Sequence, residues 1–300
     1  MKLGSMDLRG PGVARLGALM LLAMLAAGCT DAENGASANT ASANTASANT
    51  ALANAVAPAA SATAVATTVP FVGCAQDGQG GPQPPPTGQP KTVVMDPAAA
   101  AKLVYYTAGN VGVLGPKGWY CFGAYGSDGT VLYVAPGPIQ SNNVLSQTWT
   151  AGAGQALVAS FSSGDTSGRF AVAKAIARIF PARRNFAQSV ISEGIEPASH
   201  FPTGPFSTDR TVTKSDTVVE YETPAGVQGL GTTFSRLTPG AGAIDGAALL
   251  LGATPDLAFL AVRLTPDLQP LTPAIVQQFE ADATAPPPAA AASPAANASH

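Results

Sequence analysis

From Ala36 the chain spells Ala-Ser-Ala-Asn-Thr three times in succession, at 36–40, 41–45 and 46–50, and the pattern then decays into Ala51-Leu-Ala-Asn-Ala55. A five-residue period fits neither the spacing of a helix nor that of a strand. Side chains this small and polar cannot bury enough surface to offset the entropy of ordering them. Residues 29–70 therefore read as a tether that joins no core. The Ala/Pro-rich stretch 282–300 reads as a second unstructured segment. The sequence thus predicts one globular domain over 71–281, long enough to bury a sizeable core.

The segment ahead of the repeat is an address. Lys2, Arg9 and Arg15 give a positive start, and Leu16–Ala26 is an apolar run of eleven residues. That run is too short to span a bilayer but suits a signal peptide over 1–28. It leads into Leu25-Ala26-Ala27-Gly28-Cys29. Small residues followed by Cys resemble the lipobox of bacterial lipoproteins. The resemblance implies that the Cys29 thiol receives a diacylglycerol, that the chain is cut before it, and that the new amino group is acylated, for instance with palmitate. Several acyl chains give durable anchoring where one is marginal. A tether of this composition would then reach about 35 Å from the membrane. An ordinary secretory signal with a free Cys29 is the competing reading. Thr30, not Asp, follows Cys29; in a Gram-negative host, lipoprotein sorting favours the outer membrane for such a chain. The expected location is the bacterial cell envelope.

Only 11% of residues are charged and the net charge is −3. Removing residues 1–28 takes away three cations and one carboxylate, so the remainder is more acidic still. Such a chain has no electrostatic drive toward phosphate backbones, and nucleic acid is not an expected partner.

With Cys29 assigned to lipid, Cys74 and Cys121 remain, and an even pair in an exported chain reads as a disulfide. Two buried thiols are the alternative. No metal-ligand spacing is present, and neither a metal nor a cofactor is expected.

Along the folded part, Phe71–Gly88 reads as irregular and Lys91–Met95 as a short strand. Asp96-Pro97 is an N-cap followed by an N1 proline and predicts a helix over Ala98–Tyr106. A strand over Gly118–Tyr125, a turn at Ser127-Asp128-Gly129 and a strand over Thr130–Val134 form a predicted hairpin. Gln155–Ser162 reads as the next strand. Phe170, Val172, Ile176, Ile179 and Phe180 predict a helix, Pro181 interrupts it, and a second helix ends at Gly194. Strands are predicted near Arg210–Glu222, Gly229–Phe234, Ala247–Leu251 and Ala258–Leu264, with a last helix from Thr272 to about Asp282. Strands joined mostly by hairpins, with helices in the middle and at the end, predict an α+β fold whose antiparallel sheet packs against helices.

Four stretches carry a resemblance. Val113-Leu-Gly-Pro-Lys-Gly-Trp-Tyr-Cys-Phe-Gly-Ala-Tyr-Gly-Ser127, Ser167-Gly-Arg-Phe-Ala-Val-Ala-Lys-Ala-Ile-Ala-Arg-Ile-Phe-Pro181, Ser192-Glu-Gly-Ile-Glu-Pro-Ala-Ser199 and Thr272-Pro-Ala-Ile-Val-Gln-Gln278 resemble the core of a bacterial family of exported proteins, which implies no particular activity. The Pro-Lys-Gly-Trp lead into a strand and a C-terminal closing helix are similar to PsbP-like proteins, which implies binding or assembly more than catalysis.

The search for chemistry is short. A catalytic triad would have to use His200, and no Gly-x-Ser-x-Gly elbow exists. Glu193/Glu196 and Glu220/Glu222 are closely spaced carboxylates of the kind that acid/base hydrolysis needs, and that solvated faces also carry. The glycines at 109, 112, 115 and 118 match no phosphate loop. Tyr105, Tyr106, Trp119, Tyr120, Tyr125 and Tyr133 crowd one region, either as core or as a platform for sugar rings. Lys174, Arg178, Arg183 and Arg184 form a candidate anion-binding patch, or else a solvated helix face.

Three functions remain. The first is a lipid-anchored, non-enzymatic binding or assembly module, in contact with the membrane through Cys29 and with an envelope protein or an anionic envelope polymer. The second is an envelope hydrolase acting on a glycan or ester. The third is a purely structural surface lipoprotein.

Overall fold

A computed structural model describes residues 64–140, 144–146 and 150–285. The signal peptide, Cys29, the repeats and the tail beyond 285 lie outside the described residues.

Thirteen strands and five helices are formed among the described residues. The largest sheet has eight strands in the order β10 (Arg210–Ser215), β11 (Val218–Thr223), β12 (Ile244–Leu251), β13 (Asp256–Arg263), β9 (Ala156–Ser162), β8 (Gly129–Ala135), β7 (Tyr120–Gly126) and β3 (Gln76–Gly78). All its pairs are antiparallel except β3 with β7. A three-stranded sheet holds β2 (Phe71–Gly73), β5 (Leu103–Ala108) and β6 (Val111–Pro116), and a two-stranded ladder joins β1 (Val65–Val69) to β4 (Lys91–Met95). The helices are α1 (Pro97–Ala100), α2 (Arg169–Ile179), α3 (Arg184–Ser192), α4 (Leu230–Thr233) and α5 (Thr272–Thr284). The fold is α+β, as the sequence predicts.

The central sheet is covered on both sides. On one face Leu132, Val134, Leu157, Ala247, Leu249 and Leu260 pack against the smaller sheets and α5. On the other, Phe122, Tyr133, Val158, Ala248, Phe259 and Ala261 pack against α2, α3 and α4. This explains why Ala247–Leu251 and Asp256–Arg263 are almost unbroken apolar runs without alternation: strands buried on both faces need apolar residues at every position.

Several local signals act as expected. Asp96 accepts from the Ala98 N–H at 3.0 Å and Pro97 opens α1. Gly126 pairs with Gly129 across the tight β7–β8 turn, and Gly129 takes a φ of 141°. Pro181 separates α2 from α3, and Gly194 ends α3 with a φ of 67°. Cys74 and Cys121 are bonded, with Cα atoms 5.5 Å apart. The bridge ties the β2–β3 connector to β7, and so links the small sheet to the large one.

Four expectations are corrected. The helix expected over Ala98–Tyr106 stops at Ala100, and Leu103–Ala108 is a strand. The caps were genuine, but Val104, Tyr105 and Tyr106 favour a pleated surface, and the ladder with Val111–Pro116 outweighs six more helical residues. The stretch expected as a strand over Gly229–Phe234 is the short helix α4. Tertiary bonds decide it: Asp209 Oδ2 accepts from the Leu230 N–H at 2.7 Å, and Thr223 Oγ1 accepts from the Gly231 N–H at 3.0 Å. The segment read as irregular carries β2 and β3, each pairing parallel with a strand distant in sequence. Finally, β1 lies within the stretch assigned to the tether; Val65–Val69 finds five partners in Lys91–Met95.

One buried cation organises the loops at one end of the sheet. Arg263, on β13, is 3% exposed. It has no carboxylate partner among the described residues. Its Nη2 donates to Thr238 O at 2.7 Å and its Nε to Gly242 O at 3.2 Å, while Nη1 reaches Gly152 O and Gly154 O at 3.4 and 3.3 Å.

Candidate functional site

Helix α2 presents Lys174 and Arg178 one turn apart on one face, as their i, i+4 spacing requires. Lys174 is held by Glu196 at 2.8 Å and lies over the Phe201 ring, 5.6 Å from its centre. Arg178 stacks on Phe206 at 4.1 Å and donates to Gly204 O at 3.2 Å. A guanidinium has five donors, so most of Arg178 is left for another partner.

Two further basic side chains converge on these. His200 ends a 3-10 turn over Ala198–His200, with Nδ1 at 3.3 Å from Glu196 Oε2. Arg236 follows α4 and has φ 61°, the only positive φ of a non-glycine among the described residues. Strained backbone of this kind costs about 1–3 kcal/mol and persists only where surrounding structure enforces it. Here the enforcement is visible: Arg236 O accepts from Ala151 N at 2.9 Å, and its Nη1 donates to Val144 O and Ser146 O, both at 3.2 Å. Lys174, Arg178, His200 and Arg236 line one cavity of about 340 Å³, with Pro202 and Phe234 among its apolar walls. Glu196 touches two of the four, Lys174 at 2.8 Å and His200 at 3.3 Å. The Lys174 ammonium hydrogen-bonded to it, and then His200, hold its pKa below the usual value.

The patch expected from the sequence is therefore divided. Lys174 and Arg178 enter the cavity. Arg184 shares a neighbouring shallow pocket with Arg178, and Arg183 lines neither. Arg236 was missed, because it comes from a segment 58 residues downstream of Arg178 and no local pattern marks it.

The other candidates separate. Glu193 is taken by Arg169, which forks onto both its oxygens at 2.7–3.1 Å and lowers its pKa. Glu196 pairs instead with Lys174 and His200, so Glu193 and Glu196 do not act as a pair. Glu220 and Glu222 do share one face of β11, but each has its own cation, Lys214 at 2.9 Å and Arg210 at 3.1 Å. Among the described residues no hydroxyl or thiol bonds His200, and no group of three His, Cys, Asp or Glu assembles to hold a metal. The aromatic cluster is mostly core. Tyr106 is 1% and Tyr133 3% exposed, Trp119 is half-buried, and Tyr120 alone of the group is exposed. Tyr105 donates to Asp282 at 2.7 Å and Tyr125 to Gly81 O at 2.6 Å. No described helix is long and apolar enough to cross a membrane.

Comparison of the chain with family models, with curated proteins and with solved structures finds no match.

Proposed function

We propose that this chain is a lipid-anchored protein of the bacterial cell envelope that works by binding. In this reading Cys29 carries the acyl chains and the Ala-Ser-Ala-Asn-Thr repeats hold the folded body away from the membrane. The cavity between α2, the Ala198–His200 turn and Arg236 takes an anionic group, a phosphate or carboxylate, from an envelope polymer or protein. One observation carries the binding part: four basic side chains from three separate segments line one small cavity, and Glu196 pairs with two of them, Lys174 and His200. A planar guanidinium on an aromatic face, such as Arg178 on Phe206, is pre-organised for phosphate or carboxylate. The anchoring part rests on the lipobox-like run ending at Cys29 and on the exported-protein resemblance.

Calorimetric titration of the full-length protein with inorganic pyrophosphate tests the site. Lys174→Glu with Arg178→Glu should weaken binding at least about tenfold, the worth of one hydrogen bond to a charged group, while Arg183→Glu leaves it unchanged. Equal loss from both, or no saturable binding by the wild type, refutes it. Labelling with radioactive palmitate tests the anchor. Wild-type chain should carry label and fractionate with membranes, and Cys29→Ala should do neither. An unlabelled wild-type chain in the soluble fraction refutes it.

A further inference from the structure

A second groove, of about 420 Å³, lies on the opposite face of the central sheet, between β11–β12 and α5. Its wall on α5 is a stripe at i, i+4 and i+8: Thr272, Val276 and, beyond the lining proper, Glu280. Such a stripe spans about 12 Å along the helix. Its wall on the sheet carries Asp245 and Glu220. Glu220 pairs directly with Ala247 and Glu222 with Asp245, so Asp245 and Glu220 are diagonal neighbours about 7–8 Å apart.

The groove has two acidic poles with an apolar middle. At one pole Asp245 Oδ2 accepts from Gln269 at 2.7 Å, and burial followed by the Glu222 charge raises its pKa despite that bond. Beside it Thr272 is 5% exposed, and its Oγ1 is buried without a hydrogen-bond partner. At the other pole Glu220 meets Glu280, whose Oε1 is likewise buried and unpartnered. Burial first, then the Glu220 charge, raise the Glu280 pKa, and Lys214 works against them. Val276 lies between the poles.

Buried polar atoms are rarely left unpaired, and each such atom in a native fold calls for a partner. A cation is indicated, because Asp245 and Glu220 line the groove, Glu280 adjoins Glu220, and Lys214, paired with Glu220, is the ammonium among the lining residues. The seat already accepts an ammonium: Lys214 Nζ stands 2.9 Å from Glu220 Oε1. Lys214 comes from the exposed edge strand β10 and its side chain is 48% exposed, so it can swing out when another ammonium arrives. A metal ion is not indicated, since no three-ligand cluster forms among the described residues. An anion is not either, since Pro273 removes an N–H donor from the start of α5.

We infer that this groove binds an aliphatic diamine, with one ammonium at Asp245 and Thr272, the methylene chain along Val276, and the second ammonium at Glu220 and Glu280. The inference is independent of the anion cavity and of the lipid anchor.

Calorimetry on the full-length protein at neutral pH tests it with 1,4-diaminobutane, 1-aminobutane and 1,4-butanediol. The diamine should bind saturably. The monoamine and the diol should bind at least about tenfold more weakly, since each lacks one charge-assisted contact. Asp245→Asn should weaken the diamine about tenfold. Thr272→Val should weaken it to a lesser extent, while Lys214→Ala should tighten it. No saturable diamine binding, or equal affinity for diamine and monoamine, overturns the inference on wild-type protein alone, whatever the variants do.

Discussion

Replacing Arg263 by Met keeps the length of the side chain and removes its charge. The backbone carbonyls of Gly154, Thr238 and Gly242 then lose the guanidinium, while Gly152 O keeps the Thr238 N–H. The two contacts at 3.3 and 3.4 Å are long and count for little. Those at 2.7 and 3.2 Å are hydrogen bonds from a charged group, worth roughly 1.5–3 kcal/mol each. Relief of the burial that lowers the Arg263 pKa returns part of that. The net expectation is a loss of about 3–4 kcal/mol, since the stranded carbonyls remain when the cation goes. Arg263→Lys keeps a charge and three donors but not the fork, and should recover about half of it. Urea unfolding followed by fluorescence reads the loss as a shift of the midpoint by about 1 M or more. Hydrogen exchange gives the local signature, because Thr238 N→Gly152 O and Ala151 N→Arg236 O join the same loops at 3.0 and 2.9 Å. Those amides should lose protection before the β12–β13 ladder does. If Arg263→Met unfolds within about 0.5 kcal/mol of the wild type, the range of an ordinary surface change, water satisfies those carbonyls and the guanidinium does not clamp the loops.

Three further outcomes follow from the same structure. The Cys74→Ala/Cys121→Ala variant should lose about 4 kcal/mol in denaturant melts, the chain-entropy value for a bridge across 47 residues; an unchanged midpoint would show that the two sheets dock without it. Gly246→Ala should destabilise by at least about 2–3 kcal/mol in the same assay, because its Cβ would collide with the Leu260 carbonyl oxygen and the Tyr221 hydroxyl. Glu280 binds its proton more tightly folded than unfolded, so it makes stability fall as pH rises from the unfolded value of 4.5 through its raised folded pKa; Glu280→Gln should flatten that fall in melting temperature and match the wild type below pH 4.5, and an unaltered profile would contradict the assignment.

What could be read from the sequence was set by local chemistry. Asp96-Pro97, Asp128-Gly129, Pro181 and Gly194 each act through their own backbone torsions or hydrogen bonds, and each marks a real boundary. The Cys74–Cys121 bridge was legible once Cys29 was set aside, as the remaining pair in a chain read as exported. What escaped was set by distant partners. Leu103–Ala108 is a strand because Val111–Pro116 and Phe71–Gly73 flank it, and the preceding helix signal gives no hint of either. Val65–Val69 looks like more tether until Lys91–Met95 supplies a ladder. The site shows the same division. Lys174 and Arg178 are legible as a helical pair. Arg236 and His200 join them only in the folded chain, from separate segments, and the Glu220–Glu280 pole likewise needs β11 and α5 brought together.

The position of the disulfide has a mechanical consequence. Any pull on the chain upstream of Val65 reaches the five-residue ladder of β1 on β4 first, and then the three residues of β2 on β5. Both can peel away like a strip. The strip ends at Cys74, where a covalent bond hands the load to Cys121 on β7, inside the widest sheet of the molecule. A protein tugged from its leading end would lengthen by the span of those few residues, and the load would then pass through the sulfur–sulfur bond to the ladder of β7 on β8, with the loop between the two cysteines shielded from it.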